Sequence, residues 1–174
     1  MKDTGPRATK PYMPGYEIMF QTDRKSLPWS WAKDRLSSSH NYWLATSRTD
    51  GKPHVMPVWG IWLDNEFYFS TGRRSRKSRN LSMNPNCVVC PETASQAVIM
   101  EGVAREVKDS NLLRRFGAVY RKKYDWDMGN LENSKDPIYA IRPMAVFGFV
   151  ENSKRIKGNP TRWKLNEKAA AKKT

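Results

Sequence analysis

The stretch from Asn41 to Leu63, NYWLATSRTDGKPHVMPVWGIWL, constrains the fold more than any other. Two apolar runs, rich in β-branched and aromatic residues, flank a turn that contains Asp50 and Gly51. Such a turn between two β-prone runs is typical of a β-hairpin, because glycine readily adopts the positive φ that tight turns require. After the short turn Asp64-Asn65, the run EFYFST (66–71) extends the hairpin into a meander.

Further strands are predicted in CVVC (87–90), QAVIMEGVAREV (96–107) and PIYAIRPMAVFGFV (137–150). Gly102 predicts a bulge or bend in the second of these, since a glycine inside a strand often marks one. Arg142-Pro143 predicts an interruption of the third, because proline cannot donate a ladder hydrogen bond. Many short strands with few helices favour an antiparallel barrel and not a doubly wound parallel sheet.

Helices are predicted at the connections. In residues 26–39, Ser26 is the expected cap, and Pro28 is tolerated in the first turn. Asp109 is expected to cap a helix over SNLLRRFGAVYRKKY (110–124). Helical spacing places five apolar residues of this segment on one face: Leu112, Leu113, Phe116, Val119 and Tyr120.

The length of 174 residues predicts one domain with a hydrophobic core. We expect an extended N-terminal arm (1–26), the domain (27–165) and a basic C-terminal tail (166–174). No apolar run approaches the roughly 20 residues that span a bilayer. Residues 1–17 lack the apolar segment of a secretory signal, so we expect a cytoplasmic protein without a membrane partner.

Cys87 and Cys90 form a CVVC sequence that superficially resembles a redox or metal pair. The two valines between them favour a strand, which points the two thiols to opposite faces. No second such pair occurs, and the histidines are His40 and His54. The sequence therefore predicts two reduced, inert thiols and no metal site.

Cationic residues are concentrated in TGRRSRKSRNLSMNP (71–85), directly after a predicted strand. The part SRNLSMNP fits a short helix that ends at Asn84-Pro85. Arg76 and Lys77 then lie in or near its first turn, close to three hydroxyl side chains: Ser70, Thr71 and Ser75. Backbone N–H groups at a helix start lack partners and favour an anion. The arrangement predicts a compact phosphate site.

Two alternatives stay open for this cationic cluster. The formal charge of +14 would suit nucleic acid, but a duplex binder needs cations spread along a helix face or an arm. A solvated basic turn is the second alternative. Eight cations against two anions in residues 151–174 give +6, so much of the excess charge lies near the C-terminal end. We therefore expect no nucleic-acid partner.

The residues YWLATSRTDGKPHVMPVWGIWLDNEFYFSTGRRSRKSRNLSMNPNCVV and VIMEGVAREV together resemble the pyridoxamine 5′-phosphate oxidase-like superfamily of flavin-binding split barrels. The resemblance rests on the order and spacing of the hairpin, the YFST strand, the SRK turn, the NL…NP helix and the EG.A strand. It implies a mainly β fold, a six-stranded antiparallel split β-barrel. It also implies a homodimer with two flavins in the subunit interface.

The resemblance further implies which residues bind the cofactor. The strand that begins at His54 would lie beside the isoalloxazine ring, partly through its backbone. The end of the next strand would contact the ribityl and phosphate groups, and the SRK turn would grip the phosphate. The implied residues are His54, Val55, Met56, Pro57, Val58, Trp59, Ser70, Thr71, Ser75, Arg76, Lys77, Asn80 and Trp163.

The sequence departs from the vitamin B6 oxidases in two places. Trp59 stands where those enzymes have a lysine that recognises substrate phosphate, and YRKKYDWDMGN (120–130) does not reproduce their substrate segment. The resemblance therefore points to relatives that bind flavin mononucleotide (FMN) or a deazaflavin coenzyme. We expect an FMN-dependent oxidoreductase acting on an unidentified small molecule. A deazaflavin-dependent reductase and a flavin- or haem-binding carrier without turnover are the alternatives, and no catalytic side chain is identified.

Overall fold

The computed structural model describes residues 5–15, 25–151 and 160–165. Its strands are β1 (Ala8–Thr9), β2 (Asn41–Ser47), β3 (Pro53–Leu63), β4 (Glu66–Ser70), β5 (Asn86–Pro91), β6 (Gln96–Glu106), β7 (Ile138–Val150) and β8 (Thr161–Lys164). Its helices are α1 (Trp29–Ser38), α2 (Arg76–Met83) and α3 (Ser110–Tyr124), with a short 3-10 helix at Leu131–Asn133. The predicted tail, 166–174, lies outside the described residues, as do residues 1–4 and 16–24 of the predicted arm.

Six antiparallel strands close into a barrel, as the sequence predicts. The order around the barrel is β7-β4-β3-β2-β5-β6, and β6 pairs with β7 to close it. The sheet continues beyond the barrel, because β8 pairs with residues 145–148 of β7 and β1 pairs with β8. Part of the predicted N-terminal arm therefore lies on the domain as an edge strand. None of the helices in the described ranges has the length and apolarity needed to cross a bilayer.

The β2–β3 hairpin has the predicted turn, in which Gly51 adopts a φ of +81°. Its register runs from Asn41 opposite Trp59 to Ser47 opposite Pro53. Residues that face each other in an antiparallel pair lie on the same side of the sheet. This register therefore fixes which residues of β3 point into the barrel and which point outward.

The predicted interruption at Arg142-Pro143 is wrong, because β7 runs unbroken from Ile138 to Val150. Pro143 lies between the segment of β7 that pairs with β4 and the segment that pairs with β8, so its missing N–H breaks neither ladder. On the other edge, the predicted bulge is confirmed between Glu101 and Gly102, which is opposite Pro143. A Cβ at Gly102 would lie 2.6 Å from the Arg142 carbonyl oxygen, so the close strand approach requires glycine there.

The helices agree with the sequence in position but not in every detail. Asp109 caps α3 as predicted, since its carboxylate accepts from the Leu112 N–H at 2.7 Å. The inward face of α3 includes Tyr124, whereas Val119, which was expected on that face, is 37% exposed. The expected cap at Ser26 is also wrong, because α1 begins after Pro28 without a side-chain cap.

Buried side chains lie on both sides of the barrel wall. The interior holds, among others, Tyr42, Leu44, Phe67, Phe69 and Trp163. A second group, including Ile61, Tyr68, Phe116 and Tyr120, lies between the outside of the wall and α3. The alternation along β4 explains the division, because Phe67 and Phe69 point inward while Tyr68 points outward. The helix α3 thus covers one part of the outer wall, and α2 lies beside β2.

Candidate phosphate and cofactor site

The turn between β4 and α2, residues 70–77, is here called the entry turn. The Ser75 side chain caps α2, because its hydroxyl oxygen accepts from the Ser78 N–H at 3.2 Å. The Ser75 carbonyl accepts from the Arg79 N–H at 3.1 Å. Thr71 Oγ1 lies 3.1 Å from Ser75 Oγ, and the Ser75 N–H donates to the Gly72 carbonyl at 2.9 Å. The predicted hydroxyl-rich helix start is therefore held in place by hydrogen bonds around Ser75.

After Ser75 has capped the helix, two backbone N–H groups of its first turn still lack an acceptor in the part of the chain that the structure describes. The N–H groups of Arg76 and Lys77 belong to the first turn of α2, where no preceding helical carbonyl can accept them. Neither N–H has an acceptor among the described residues. They are the donors that an oxygen-bearing anion at this helix start would use.

The cations of the entry turn differ in what holds them. Arg73 is tied to the protein itself, with its guanidinium 2.9 Å from Glu106 and 2.8 Å from the Lys135 carbonyl. In the described part of the chain, Arg74, Arg76 and Lys77 form no ion pair. Lys77 is half-buried, and this burial lowers the pKa of its ammonium. The structure therefore leaves Arg76 and Lys77, unlike Arg73, available to an anion.

Side chains from the barrel anchor α2 at this position. Asn80 is buried, and its amide donates to Thr46 Oγ1 at 2.9 Å. The Thr46 hydroxyl in turn lies 3.4 Å from the His54 carbonyl, which links α2 to both strands of the hairpin. The Ser78 hydroxyl contacts the Tyr139 hydroxyl of β7 at 3.0 Å. Asn80 is thus placed beside the entry turn, but its amide nitrogen is used within the protein.

The six predicted residues of β3 divide between the two faces of the strand. His54, Met56 and Val58 are opposite the inward-facing Thr46, Leu44 and Tyr42, so they share the inner face. Val58 is buried in the core, so its side chain is not available to a ligand. Met56 is 43% exposed although Leu44 opposite it is fully buried. The inner face is therefore uncovered at Met56, at the end of the hairpin that α2 adjoins.

The other three predicted residues, Val55, Pro57 and Trp59, lie on the outer face of β3. Together with Trp43 of β2 they form what we call the outer apolar patch, in which Val55 is 50% and Trp43 48% exposed. Trp59 is not a free ring, since it stacks on Tyr124 of α3 with ring centroids 4.7 Å apart and planes 2° apart. Its indole N–H donates to Asn41 Oδ1 at 3.1 Å.

Trp163, the late predicted residue, is fully buried in the barrel core. Its ring packs edge-on against Trp29 at 5.7 Å, and its indole nitrogen has no partner among the described residues. The structure thus gives Trp163 a place in the packing between β8 and α1, and a cofactor contact stays a prediction. Ser70 and Thr71, by contrast, lie at the end of β4 where the entry turn begins.

The sequence did not indicate Thr46 or Tyr139 as parts of this region. Thr46 had a detectable signal, because it is the polar residue at an inward position of an otherwise apolar strand. Tyr139 had none, since it meets the site through a contact between segments far apart in the chain. Among the described residues, no three His, Cys, Asp or Glu side chains are grouped to hold a metal ion.

Two surface grooves lie elsewhere on the molecule. One, of about 180 Å³, is lined by residues that include Arg73, Glu106 and Asp136. The other, of about 410 Å³, lies between α3 and the 3-10 helix segment. Neither of these two grooves is lined by Arg76, Lys77 or the hairpin.

The fold and the entry turn define a class of protein, a split barrel with a helix start that has free backbone donors, beside an uncovered hairpin. The family model described as pyridoxamine 5′-phosphate oxidase matches residues 31–147, which are 117 of the 174 residues. The chain belongs to the pyridoxamine 5′-phosphate oxidase family. No curated protein sequence matches it.

Solved structures share the fold at low identity. General Stress Protein 26 from Bacillus anthracis str. Sterne is 22% identical with a TM-score of 0.61, over 78% of this chain and 97% of that one. An F420 reductase is 22% identical with a TM-score of 0.52, over 78% and 98%. A FAD-binding protein from Mesorhizobium loti is 20% identical with a TM-score of 0.58, over 79% and 96%. At these identities the likeness shows the split-barrel fold alone.

Proposed function

We propose that this protein is a flavin-dependent oxidoreductase that binds FMN by its phosphate at the entry turn and acts on a small molecule. The observation that carries the proposal is the start of α2, where the unpartnered N–H groups of Arg76 and Lys77 lie beside capping hydroxyls. Several donors that converge on one point suit a phosphate, which accepts hydrogen bonds through three oxygens.

The charges of the turn support a phosphate over a neutral ligand. A partly desolvated ammonium such as that of Lys77 is unfavourable unless an anion faces it. Arg76, one residue before, adds a planar fork of donors that matches phosphate geometry. With Arg73 held by Glu106, these two side chains are the ones that we assign to the phosphate.

The uncovered inner face of β3 supports a place for the flavin ring next to the entry turn. Met56 and His54 lie there, beside Thr46 and the buried Asn80 that fixes α2. FMN, when bound, supplies hydride and electron transfer. The chain's own residues would anchor the phosphate, orient the ring along the β3 backbone and exclude water with apolar side chains.

We further propose that a second copy of the chain covers the outer apolar patch and completes the site. The patch puts Trp43, Val55 and Trp59, each 40–50% exposed, on one face of the hairpin that carries the inner face. Contiguous apolar surface of this kind is typical of an interaction site. A homodimer would give the open site of a single chain its missing wall.

Absorbance of the purified protein tests the proposal first. Flavin bands, with FMN identified after heat release, are expected, and so is reduction by a nicotinamide donor with reoxidation by an acceptor. Flavin without turnover would favour a carrier, and a Soret band would favour haem. A protein that binds neither FMN nor another flavin would contradict the proposal.

A deazaflavin is the second candidate, because Arg74 and Arg79 also form no ion pair among the described residues. The deazaflavin coenzyme continues beyond its phosphate into an anionic tail, for which these cations would provide an exit. Competition between FMN and the deazaflavin at low and high salt separates the two, since salt screens attraction to an exposed tail more than a partly buried phosphate contact. Binding of the deazaflavin at least tenfold tighter at near-physiological salt would replace FMN as the cofactor.

A further inference from the structure

The last two residues of α3, Lys123 and Tyr124, reach across to the backbone of β3 at Gly60. The Gly60 N–H donates to the Tyr124 hydroxyl at 2.8 Å, and that hydroxyl lies 2.8 Å from the carbonyl oxygens of both Gly60 and His40. Strand β2 begins at Asn41, opposite Trp59, so Gly60 has no β2 residue to pair with on that edge. The Tyr124 hydroxyl takes the place of the next rung of the β2–β3 ladder.

Lys123 ties the same point to two further elements. Its ammonium donates to the Gly60 carbonyl at 3.0 Å, to the Tyr42 hydroxyl at 2.8 Å and to the Ser37 carbonyl at 3.2 Å. An ammonium has three protons, and here each has an acceptor from a different element: β3, β2 and the end of α1. The positive charge also lies at the carbonyl end of α1, where the helix dipole favours it.

Ring packing connects Lys123 and Tyr124 to β3, the strand that we assign to the cofactor. Trp59, the residue before Gly60, stacks on the Tyr124 ring, and the His40 ring meets both at 5.5 and 5.1 Å. From Trp59 to Pro53 the strand is paired continuously with β2. A shift of the Gly60 backbone is therefore passed along β3 toward Met56 and His54.

We propose that Lys123 and Tyr124 are positioning residues, which hold β3 in the place required for cofactor binding through the Gly60 backbone and the Trp59 ring. The cofactor part of this inference rests on the proposed function; the anchoring of β3 does not. It gives the aromatic cluster around Trp59 a role other than contact with substrate.

The protonation of Lys123 makes the anchor testable by pH. Burial lowers the pKa of Lys123 to about 8, while Glu92 opposes the change. The other titratable groups around it are Tyr42 of β2, Tyr124 of α3 and His40 before β2. Burial raises the pKa of Tyr42, and it raises that of Tyr124 to about 12, so both hydroxyls stay neutral up to pH 9.

Between pH 7 and 9 the anchor therefore loses one of its three donors and its charge. The titration of Lys123 does not lower global stability over this range, because a lysine whose pKa is lowered on folding disfavours the folded state while it is charged. The expected loss is local. This separates a positioning role from a merely structural one, since the geometry of β3 changes while the melting temperature does not decrease.

The first measurement uses the protein without added cofactor. Near-UV circular dichroism, which reports the packing of the aromatic side chains and so includes Trp59 and Tyr124, is followed from pH 7 to 9. We expect a change with a midpoint near 8 in the wild type and in Lys122→Met, and no such change in Lys123→Met. His40→Asn, carried through the same series, tests the neighbouring imidazole. A change that persists in Lys123→Met, or its absence from the wild type, would overturn the proposal.

The second measurement is the affinity for FMN at pH 7 and pH 9. We expect the wild type to bind about three- to tenfold more weakly at pH 9, and Lys123→Met to bind equally weakly at both. Tyr124→Phe, which keeps the stacked ring, should lose a similar factor at pH 7, whereas Tyr120→Phe on the same helix should lose none. If Lys77→Met but not Lys123→Met removes the pH effect, the phosphate site is its source and the inference fails. If the wild type binds no FMN, the proposed function fails, and circular dichroism still decides the anchoring.

Discussion

The Ser75 hydroxyl oxygen accepts a hydrogen bond from the Ser78 N–H at 3.2 Å, and this contact determines which donors α2 leaves free. The Ser75 carbonyl accepts the Arg79 N–H one residue further on. The N–H groups of Arg76 and Lys77, which lie between Ser75 and Ser78 in the chain, have no acceptor among the described residues. Ser75 thus marks the point where the turn after β4 ends and α2 begins, and it sets the geometry of the proposed phosphate site.

Arg76→Ala and Lys77→Ala are each expected to weaken FMN binding about ten- to a hundredfold. The reason is the loss of a charge-assisted hydrogen bond worth roughly 1.5–3 kcal/mol. Fluorescence titration of FMN measures the change, and Arg74→Ala is the matched control, since Arg74 lies before the first turn of the helix. Wild-type affinity in both variants would contradict the assignment.

Ser75 offers a way to separate the helix cap from the anion site. Ser75→Ala should cost about 1 kcal/mol of unfolding free energy, because the first-turn N–H of Ser78 loses its acceptor. Ser75→Asp should keep most of that stability, since aspartate also caps helices, but weaken FMN about tenfold or more by repelling the phosphate. Urea unfolding and FMN titration of the two variants check this. If Ser75→Asp binds FMN as the wild type does, the phosphate lies elsewhere.

The outer apolar patch predicts a dimer that a single charge disrupts. Light scattering of the wild type should give twice the mass of one chain, and Trp43→Glu should dissociate about tenfold or more readily, because it places a carboxylate in an apolar contact. Trp126→Glu is the control, as Trp126 is 60% exposed but lies in the loop after α3. A monomeric wild type with full FMN occupancy would rule out a shared site.

The two cysteines should behave as inert thiols in the native protein. Burial raises the pKa of Cys87 to about 12 and also raises that of Cys90, so little of the reactive thiolate exists at pH 8. We expect Cys87 not to react with a thiol reagent at pH 8, Cys90 to react slowly, and both to react at once in denaturant. Because thiolate forms only as the pH approaches the pKa, reaction should accelerate as pH rises. Rapid native labelling of two thiols would contradict this.

Much of the fold was predictable because its signals are local. The turn at Gly51 and the cap at Asp109 each depend on a few neighbouring residues, and the structure has both. Pro143 led to a wrong prediction, because a proline in the sequence predicts the end of a strand. In the structure β7 pairs with β4 before Pro143 and with β8 after it, so the strand continues through the proline. Helical spacing placed Val119 on the buried face, but α3 is turned so that Tyr124 reaches Gly60 instead.

The candidate site divides in the same way. The order of hydroxyls and cations in the entry turn is visible in the sequence, but the cap at Ser75 was not predicted and is seen only in the structure. What the sequence does not carry is which cation is already paired. Arg73 and Arg76 look alike in the sequence, and only the folded chain brings Glu106 to the first. Trp59 likewise meets Tyr124 through a contact 65 residues away in the chain.

The closure of the barrel between β6 and β7 has a consequence for the order of folding. The hairpin, β4 and α2 come from one continuous segment, but two contacts at the start of α2 depend on β7 or on the residue just before it: Ser78 with Tyr139, and the Thr71 N–H with the Pro137 carbonyl. Contacts between distant segments form late, because a long loop must first close. We therefore expect the phosphate donors to reach their final arrangement only when the last seam of the barrel has formed. A bound cofactor would then slow the opening of the β6–β7 seam, although it does not contact that seam. It would thereby lengthen the lifetime of the native state.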